Sequence, residues 1–256
     1  MHILQHTRPD LPRLFERDTH NKGLLFSILE GRNPGEILVD DPEQPSQCIV
    51  RSGIPMTFAS RNVNQSFLDE AIARLRTTGN VALVGKRGGR CAWTAPEPDL
   101  VVERIEFTGI GVESERLHAN LVRDMPGLEM REITSDRFDS CLTKDMILAF
   151  CGSQESFFAY GFGLSLWLGD EILAEGYAPV LGDNGMEIGV ITAEEHRGKG
   201  YASAISAHMI KRCLERGLSA SWSCETDNPA SAAIARKLGF KREQTYPVYV
   251  YRSKKT

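Results

Sequence analysis

Apolar positions recur along this chain with two different periods, and the changes from one to the other mark out its elements. Between residues 10 and 30, Leu11, Leu14, Phe15, Leu24, Leu25, Ile28 and Leu29 follow helical spacing, with Asp10 placed as a cap and Pro12 in the first turn. Gly31 to Gly35 stops that pattern. Short strand-like runs follow at 36–39, 48–51 and 56–59, separated by Asp-, Pro- and Gly-containing turns. Leu68, Ile72 and Leu75 mark one face of a helix over 65–77, Val81 to Val84 reads as a buried strand, and 100–107 as another. A helix over 113–123 has little apolar face, and Pro126-Gly127 marks a domain boundary.

Beyond that boundary a strand at 129–134 leads to a helix carrying Phe138, Leu142, Met146 and Ile147, capped by Ser135 or Asp136. Residues 157–168 and 171–180 read as two long strands turned at Gly169-Asp170, with strand 186–192 as their neighbour. Ala202, Ile205, Met209, Ile210, Cys213 and Leu214 make the core stripe of a helix that Gly217 ends. An alternating strand at 219–226, a helix from Asn228 to Gly239 and an aromatic last strand complete the chain. Strand, helices, hairpin, strand, helix, strand, helix, strand predicts an α+β fold, a mixed and mostly antiparallel sheet flanked by helices. The chain thus divides into a smaller α/β domain over 1–126 and the α+β domain over 127–256. The first echoes the order of the second, so it is either a degenerate copy of the same fold or a separate fused domain that shapes the site of the second.

Composition narrows the setting. At 256 residues and a formal net charge of −4, the chain is long enough for a real core, and its mildly acidic balance argues against broad nucleic-acid binding, which needs a basic face. Its six cysteines are scattered, with no Cys-x-x-Cys pair, and read as small core residues of a reducing compartment. No signal peptide opens the chain, and no apolar run approaches the ~20 residues of a membrane span. A cytoplasmic protein without metal, nucleic acid or membrane partner is expected.

Candidate chemistry concentrates in 186–202. An apolar strand, the loop Ala193 to His196 and the turn Arg197-Gly198-Lys199-Gly200 run into the long helix at Tyr201-Ala202. The first amides of a helix have no partner within it, the helix dipole is positive there, and glycines let a ligand approach the backbone. A phosphate or pyrophosphate is the guest such a turn suits. No Lys-Ser or Lys-Thr follows the last glycine, and the three-glycine dinucleotide spacing is missing. A second glycine-rich basic stretch, 85–90, precedes Pro96 and Pro98 rather than a helix and reads as a solvated turn.

Arg-x-x-Gly-x-Ala at Arg197 to Ala202, followed by Asn-x-x-Ser and Lys-x-Gly-Phe between Asn228 and Phe240, resembles the GNAT superfamily of acyl-CoA N-acyltransferases. The resemblance covers about 130–256. It implies acetyl-CoA as co-substrate and transfer, in a ternary complex, to the primary amine of a small-molecule acceptor. It implies that Val190, Ile191 and Thr192 bend away from the neighbouring strand and pair with the pantetheine arm. Gly189 eases that bend or merely relieves crowding. Arg197, Gly198, Lys199, Gly200, Tyr201 and Ala202 would hold the pyrophosphate, and Asn228 and Ser231 the arm. Asn228, with Pro229 behind it, is equally a helix cap.

The reaction needs a base for the amine and a donor for the leaving thiolate. Glu187 and Glu225 are the base candidates. Where many family members carry a tyrosine acid, this chain has Ala235, so Tyr246 and Tyr249 of the last strand are the acid candidates. That strand could line the acceptor site or form the edge of a homodimer. Two alternatives stay open: acetylation of a protein or peptide amine, and a non-catalytic CoA-binding sensor.

Overall fold

A computed structural model describes residues 1–16, 18–86, 93–121 and 127–254. The first half contains β1 (His2–Leu4), α1 (Lys22–Leu29), β2 (Gly35–Val39), β3 (Cys48–Ser52), β4 (Met56–Ala59), α2 (Gln65–Leu75), β5 (Val81–Val84), β6 (Leu100–Thr108) and α3 (Glu115–Ala119). The second contains β7 (Leu128–Glu132), α4 (Lys144–Cys151), α5 (Gln154–Tyr160), β8 (Phe162–Leu168), β9 (Glu171–Ala178), β10 (Leu181–Gly182), β11 (Gly185–Glu187), β12 (Gly189–Thr192), α6 (Tyr201–Glu215), β13 (Ser219–Glu225), α7 (Pro229–Leu238) and β14 (Arg242–Tyr251). Helix ends follow their local chemistry. Asn64 caps α2 by accepting from the Phe67 amide, and Gly239, with φ +99°, stops α7.

Several expected elements are redrawn. Residues 10–30 are not one helix: a single 3-10 turn, Leu11–Leu14, is separated from α1 by a bend in which Asn21 takes the left-handed conformation. Asp10 makes no capping bond. Leu11, Leu14 and Phe15 are buried in the same cluster as α1, so their spacing recorded burial rather than a continuous helix. Residues 157–168 divide into the end of α5 and strand β8. Ser153 caps α5 by accepting from the Ser156 amide, and Gly161 ends it. The helix expected over 113–123 is described only as α3, with 122–126 outside the described residues, as are residues 87–90 of the expected basic turn. Strand 186–192 is two strands in two sheets.

A ten-stranded sheet runs β1-β2-β3-β4-β5-β14-β6-β13-β11-β10, and a four-stranded sheet runs β12-β9-β8-β7. The centre of the large sheet is the antiparallel β14–β6 ladder, in register from Arg242↔Thr108 to Val250↔Leu100. Outward from it the two sides repeat each other. β5 and β13 each pair antiparallel with the central strand beside them, β4 and β11 pair parallel with those, and β3 and β10 antiparallel again. A helix makes each parallel crossover, α2 between β4 and β5 and α6 between β12 and β13. The halves therefore share a strand order, and each gives its last strand to the other: β6 lies beside β13, and β14 beside β5. The boundary expected near 126 separates the halves in sequence, while strands from both sides share this sheet.

The exchange has an energetic anchor. Tyr246 and Tyr251 on β14 and Phe107 on β6 are almost completely buried, and each side chain of that size contributes roughly 1.5–3 kcal/mol on burial. α6 and α7 pack on Ile105, Phe107, Ala220 and Trp222, while α2 packs on Leu38, Leu83 and Tyr251. Between these clusters the other face of the sheet carries a polar patch. Because side chains alternate, Arg104 and Glu106 of β6, Tyr246 of β14 and Ser223 of β13 share it. Among the described residues, no helix is long and apolar enough to cross a membrane.

Candidate active site

The strand from Gly185 to Thr192 changes partner at its middle. Gly185 to Glu187 pair with β13, the Ile188 amide donates to the Ser221 carbonyl at 3.0 Å, and Gly189 to Thr192 then pair with β9. β12 thus diverges from β13 and leaves a split between the two sheets. Gly189 is required by a close approach: a Cβ there would lie 2.6 Å from the Tyr177 ring. The glycine both relieves crowding and lets the strand cross over that ring.

Beyond the split, the chain makes a short turn through Glu194 to His196 and reaches α6 through Gly198 and Gly200, at φ +78° and +88°. A Cβ at either would meet nothing within 4 Å. Backbone conformation selects glycine here, and the space in front is open. Gly200 is the N-cap of α6 and no side chain caps it, so the amides of Tyr201, Ala202 and Ser203 have no intrahelical acceptor. An open cavity of about 580 Å³ lies before them, lined by β12, the turn, and Asn228, Ser231 and Ile234 of the α7 region. Arg197 lines it and is largely exposed. Lys199 is not in its lining, and its ammonium lies 3.2 Å from His196 Nδ1.

A second cavity of about 560 Å³ continues the first and shares Val190, Asn228 and Ser231 with it. It is lined further by Tyr177, Trp222, Ser223, Glu225, Asp227 and Arg104. Asn228 serves as cap and as wall: its side chain accepts from the Ser231 amide at 3.0 Å, and Ser231 in turn accepts from Trp222 Nε1 at 3.0 Å.

Glu187 sits behind the Ser223 wall. It accepts a hydrogen bond from Ser223 Oγ and bonds from Asn21 Nδ2 at 3.3–3.5 Å. The residue as a whole is half-buried, but its carboxyl group is enclosed, and enclosure of the titrating oxygens governs its proton affinity. Burial raises its pKa above the usual carboxylate value, with Glu106 acting in the same direction. The Ser223 bond, the Arg104 charge and the Asn21 bond only partly offset this. Glu225, the other base candidate, is half-exposed on the cavity rim, 3.8 Å from Arg104 Nη1.

The tyrosines proposed as acids lie elsewhere. Tyr246 is fully buried, stacks on His20 at 4.2 Å and donates its hydroxyl hydrogen to Asn21 Oδ1 at 2.5 Å. Tyr249 pairs with Leu83 and packs in the α2 cluster. β14 is hydrogen-bonded to β6 from Arg242 to Val250 and to β5 from Val248 to Tyr251. Ala235 is buried in the core between α6, α7 and the sheet. Tyr177 was missed. It lines the second cavity, and burial, followed by the charge of Glu187, raises its pKa to about 12. The hydroxyl is therefore a neutral donor throughout the ordinary pH range. Its place opposite Gly189 is a register fact of β9 and β12 that no local pattern encodes. Asn21 and Arg104 were missed because they belong to the first half.

A family model described as GNAT acetyltransferase matches residues 13–249, nearly the whole chain and both halves of the sheet. The chain belongs to that family. An uncharacterized N-acetyltransferase of Bacillus subtilis, YdfB, is 36% identical over 100 residues, which are 39% of this chain and 38% of that protein. The chain therefore matches well under half of that relative's length. Among solved structures, a GCN5-related N-acetyltransferase-like protein from Streptococcus suis superposes with a TM-score of 0.74 at 23% identity, covering 94% of this chain and 96% of the other. A tandem GNAT protein from the clavulanic acid biosynthesis pathway gives 0.59 at 10% identity, covering 96% and 92%. Both show the fold. GNAT membership accounts for the divergent strand and the open helix start in one stroke, since this fold implies an acyl-CoA co-substrate.

Proposed function

We propose that this GNAT protein transfers an acetyl group from acetyl-CoA to the primary amine of a small molecule, by direct attack in a ternary complex. The observation that carries the reading is the uncapped start of α6 opening onto a split between two strands. There the amides of Tyr201 to Ser203 and the Arg197 charge meet a diphosphate. The free edge of Val190, Ile191 and Thr192, with Asn228 and Ser231 opposite, receives the pantetheine arm as an added strand. The thioester then points to the second cavity, where the amine waits.

Each proton has a named end. The ammonium sheds its first proton to solvent at the cavity mouth; Glu187 takes up the second through the Ser223 hydroxyl, once that oxygen releases the bond it accepts from Asn21. The amine nitrogen bonds to the acetyl carbon, the carbon–sulfur bond breaks, and Tyr177 donates its hydroxyl proton to the departing sulfur; water then reprotonates the Tyr177 phenolate as Glu187 releases its proton. The first half contributes the wall behind the base: Asn21 holds Glu187, Ser223 and Tyr246 together. This supports a role for residues 1–126 in shaping the acceptor site.

Titration of the purified chain with acetyl-CoA by calorimetry, followed by release of free thiol across an amine library, tests the reading. Saturable binding and amine-dependent thiol release are expected. Binding without thiol release from any amine would leave a CoA-binding sensor, and no binding would remove the family's usual chemistry from this chain.

A further inference from the structure

Arg104 is the unexplained residue of the second cavity. It stands in the middle of β6, a strand of the first half, and reaches the site only because that strand lies beside β13. Its side chain is 22% exposed. A guanidinium is charged at every working pH, so one this enclosed needs acceptors. Two of them come from the protein on one edge: Nε donates to the Tyr246 hydroxyl oxygen at 3.3 Å and Nη2 donates to Ser223 Oγ at 3.2 Å. The other edge, formed by Nη1 and the second hydrogen of Nη2, has no hydrogen-bonded acceptor among the described residues. The nearest carboxylate ion-paired there, Glu225, is 3.8 Å from Nη1, beyond hydrogen-bonding reach, and half-exposed.

Arg104 lines the cavity proposed for the amine, together with Glu225, the carboxylate 3.8 Å from Nη1 on the free edge. Two parallel N–H groups at the end of a planar guanidinium match the two oxygens of a carboxylate. The Tyr246 and Ser223 bonds fix the plane, so the fork is set before anything arrives. Ser223 joins this fork to the chemistry, since the same hydroxyl that accepts from Arg104 donates to Glu187. In an α-amino acid the amine is two bonds from the carboxylate carbon. Seated on Arg104 by its carboxylate, such a molecule brings its amine beside the Ser223–Glu187 pair. Glu225 and Asp227 on the same cavity wall accommodate the ammonium before it loses its proton.

We infer that the acceptor is an amine that also carries a carboxylate, an amino-acid-type molecule anchored by the free edge of Arg104. This rests on the acyl-transfer reading and narrows its substrate class. The rival class, a simple amine or polyamine without an anionic group, would leave the fork facing water.

The test uses matched pairs on the full chain with acetyl-CoA: leucine against isoamylamine, phenylalanine against phenethylamine, and glutamate against 4-aminobutyrate, in which the carboxylate is moved away from the amine. Thiol release should give kcat/KM at least about tenfold higher for the α-carboxylate member of a pair that turns over, as expected for one charge-assisted bidentate contact. The ratio within the pair should fall towards one in Arg104→Gln and lie between in Arg104→Lys, which keeps the charge but not the fork. Because the pairs are compared on the unaltered protein first, a variant that fails to fold does not decide the result. Binding of the N-acetylated amino acids, measured by calorimetry, gives a readout independent of turnover. Equal kcat/KM within the pairs, with turnover present, overturns the anchor and leaves acyl transfer standing. Carboxylate-dependent binding without turnover supports the anchor and overturns transfer. Absence of both binding and turnover for every pair overturns the anchor.

Discussion

The starts of α2 and α6 occupy equivalent places in two halves with the same strand order, and they have opposite fates. At α2 the chain fills its own helix end. Asn64 accepts from the Phe67 amide, Val63 is fully buried beside it, and the Asn64 amide is itself taken by Gln47 Oε1. At α6 two left-handed glycines hold side chains away, no cap forms, and a cavity opens in front. A helix end satisfied from within gains stability, and one left unsatisfied keeps its donors for a ligand. Shared topology therefore does not imply shared chemistry here: the difference lies in half a dozen residues at one helix start.

The sharpest way to break this comparison is at the base behind the open half. Glu187→Gln should lower kcat by a hundredfold or more, roughly the range for loss of a general base. In the unaltered chain kcat should rise with pH through a value above the usual glutamate pKa, since burial favours the protonated form. The variant should lack that limb. Stability carries the same signature with its sign reversed. A raised folded pKa means that the native state holds the proton longer, so stability falls as pH rises from the unfolded glutamate value through the folded one. Denaturant titrations across that window should show the slope in the unaltered chain and a flatter profile in the variant. A turnover unchanged by the substitution at every pH would remove Glu187 from the mechanism.

Next in size is a charge placed at the open helix start. Ala202→Asp should weaken acetyl-CoA binding on the order of a hundredfold, because a carboxylate then competes with the diphosphate. The melting temperature should hold or rise, since acidic residues suit a helix N-terminus. This separates binding from folding better than a change at Gly200, whose φ of +88° strains any side chain. Calorimetry and a melt on the same sample check it. Undiminished affinity would mean that these amides do not hold the diphosphate.

Tyr177→Phe should reduce kcat about tenfold and leave acetyl-CoA affinity nearly unchanged, because the ring that packs against Gly189 remains. With the phenol raised to about 12, the unaltered chain should show no loss of this acid below that pH. An unimpaired kcat would mean that the sulfur leaves without help from this hydroxyl. Smallest is the closed half: Asn64→Ala should cost about 1 kcal/mol of stability, the usual value of a helix cap, with acetyl-CoA affinity unaltered. A change in that affinity would show that the two helix starts communicate.

Much of the second half was legible in order. The anion turn, the Asn228 cap and the stripe of α6 are short-range features, and each occupies the place its residues predict. Two misread elements share one cause. Phe157 and Phe158 extended an apolar run into β8 although Ser153 and Gly161 bracket a helix, and Leu11 to Leu29 imitated one helix although a left-handed Asn21 interrupts it. Apolar spacing reports burial, and burial is compatible with more than one backbone path. Tyr246 and Tyr249 are near the motifs in sequence, but their strand lies deep in the sheet and neither lines the second cavity.

The sequence by itself determined where a helix could present bare amides, because glycine spacing, caps and periodicity act over a few residues. It determined the GNAT character of the second half on the same grounds. Only the tertiary structure decided which groups surround the second cavity. Tyr177 arrives through a β9–β12 register, Arg104 through a strand exchanged between halves, and Asn21 through a bend packed against the far face of the sheet. Such neighbours are chosen by hydrogen-bonded pairing between strands far apart in the chain, and that pairing has no counterpart in local spacing.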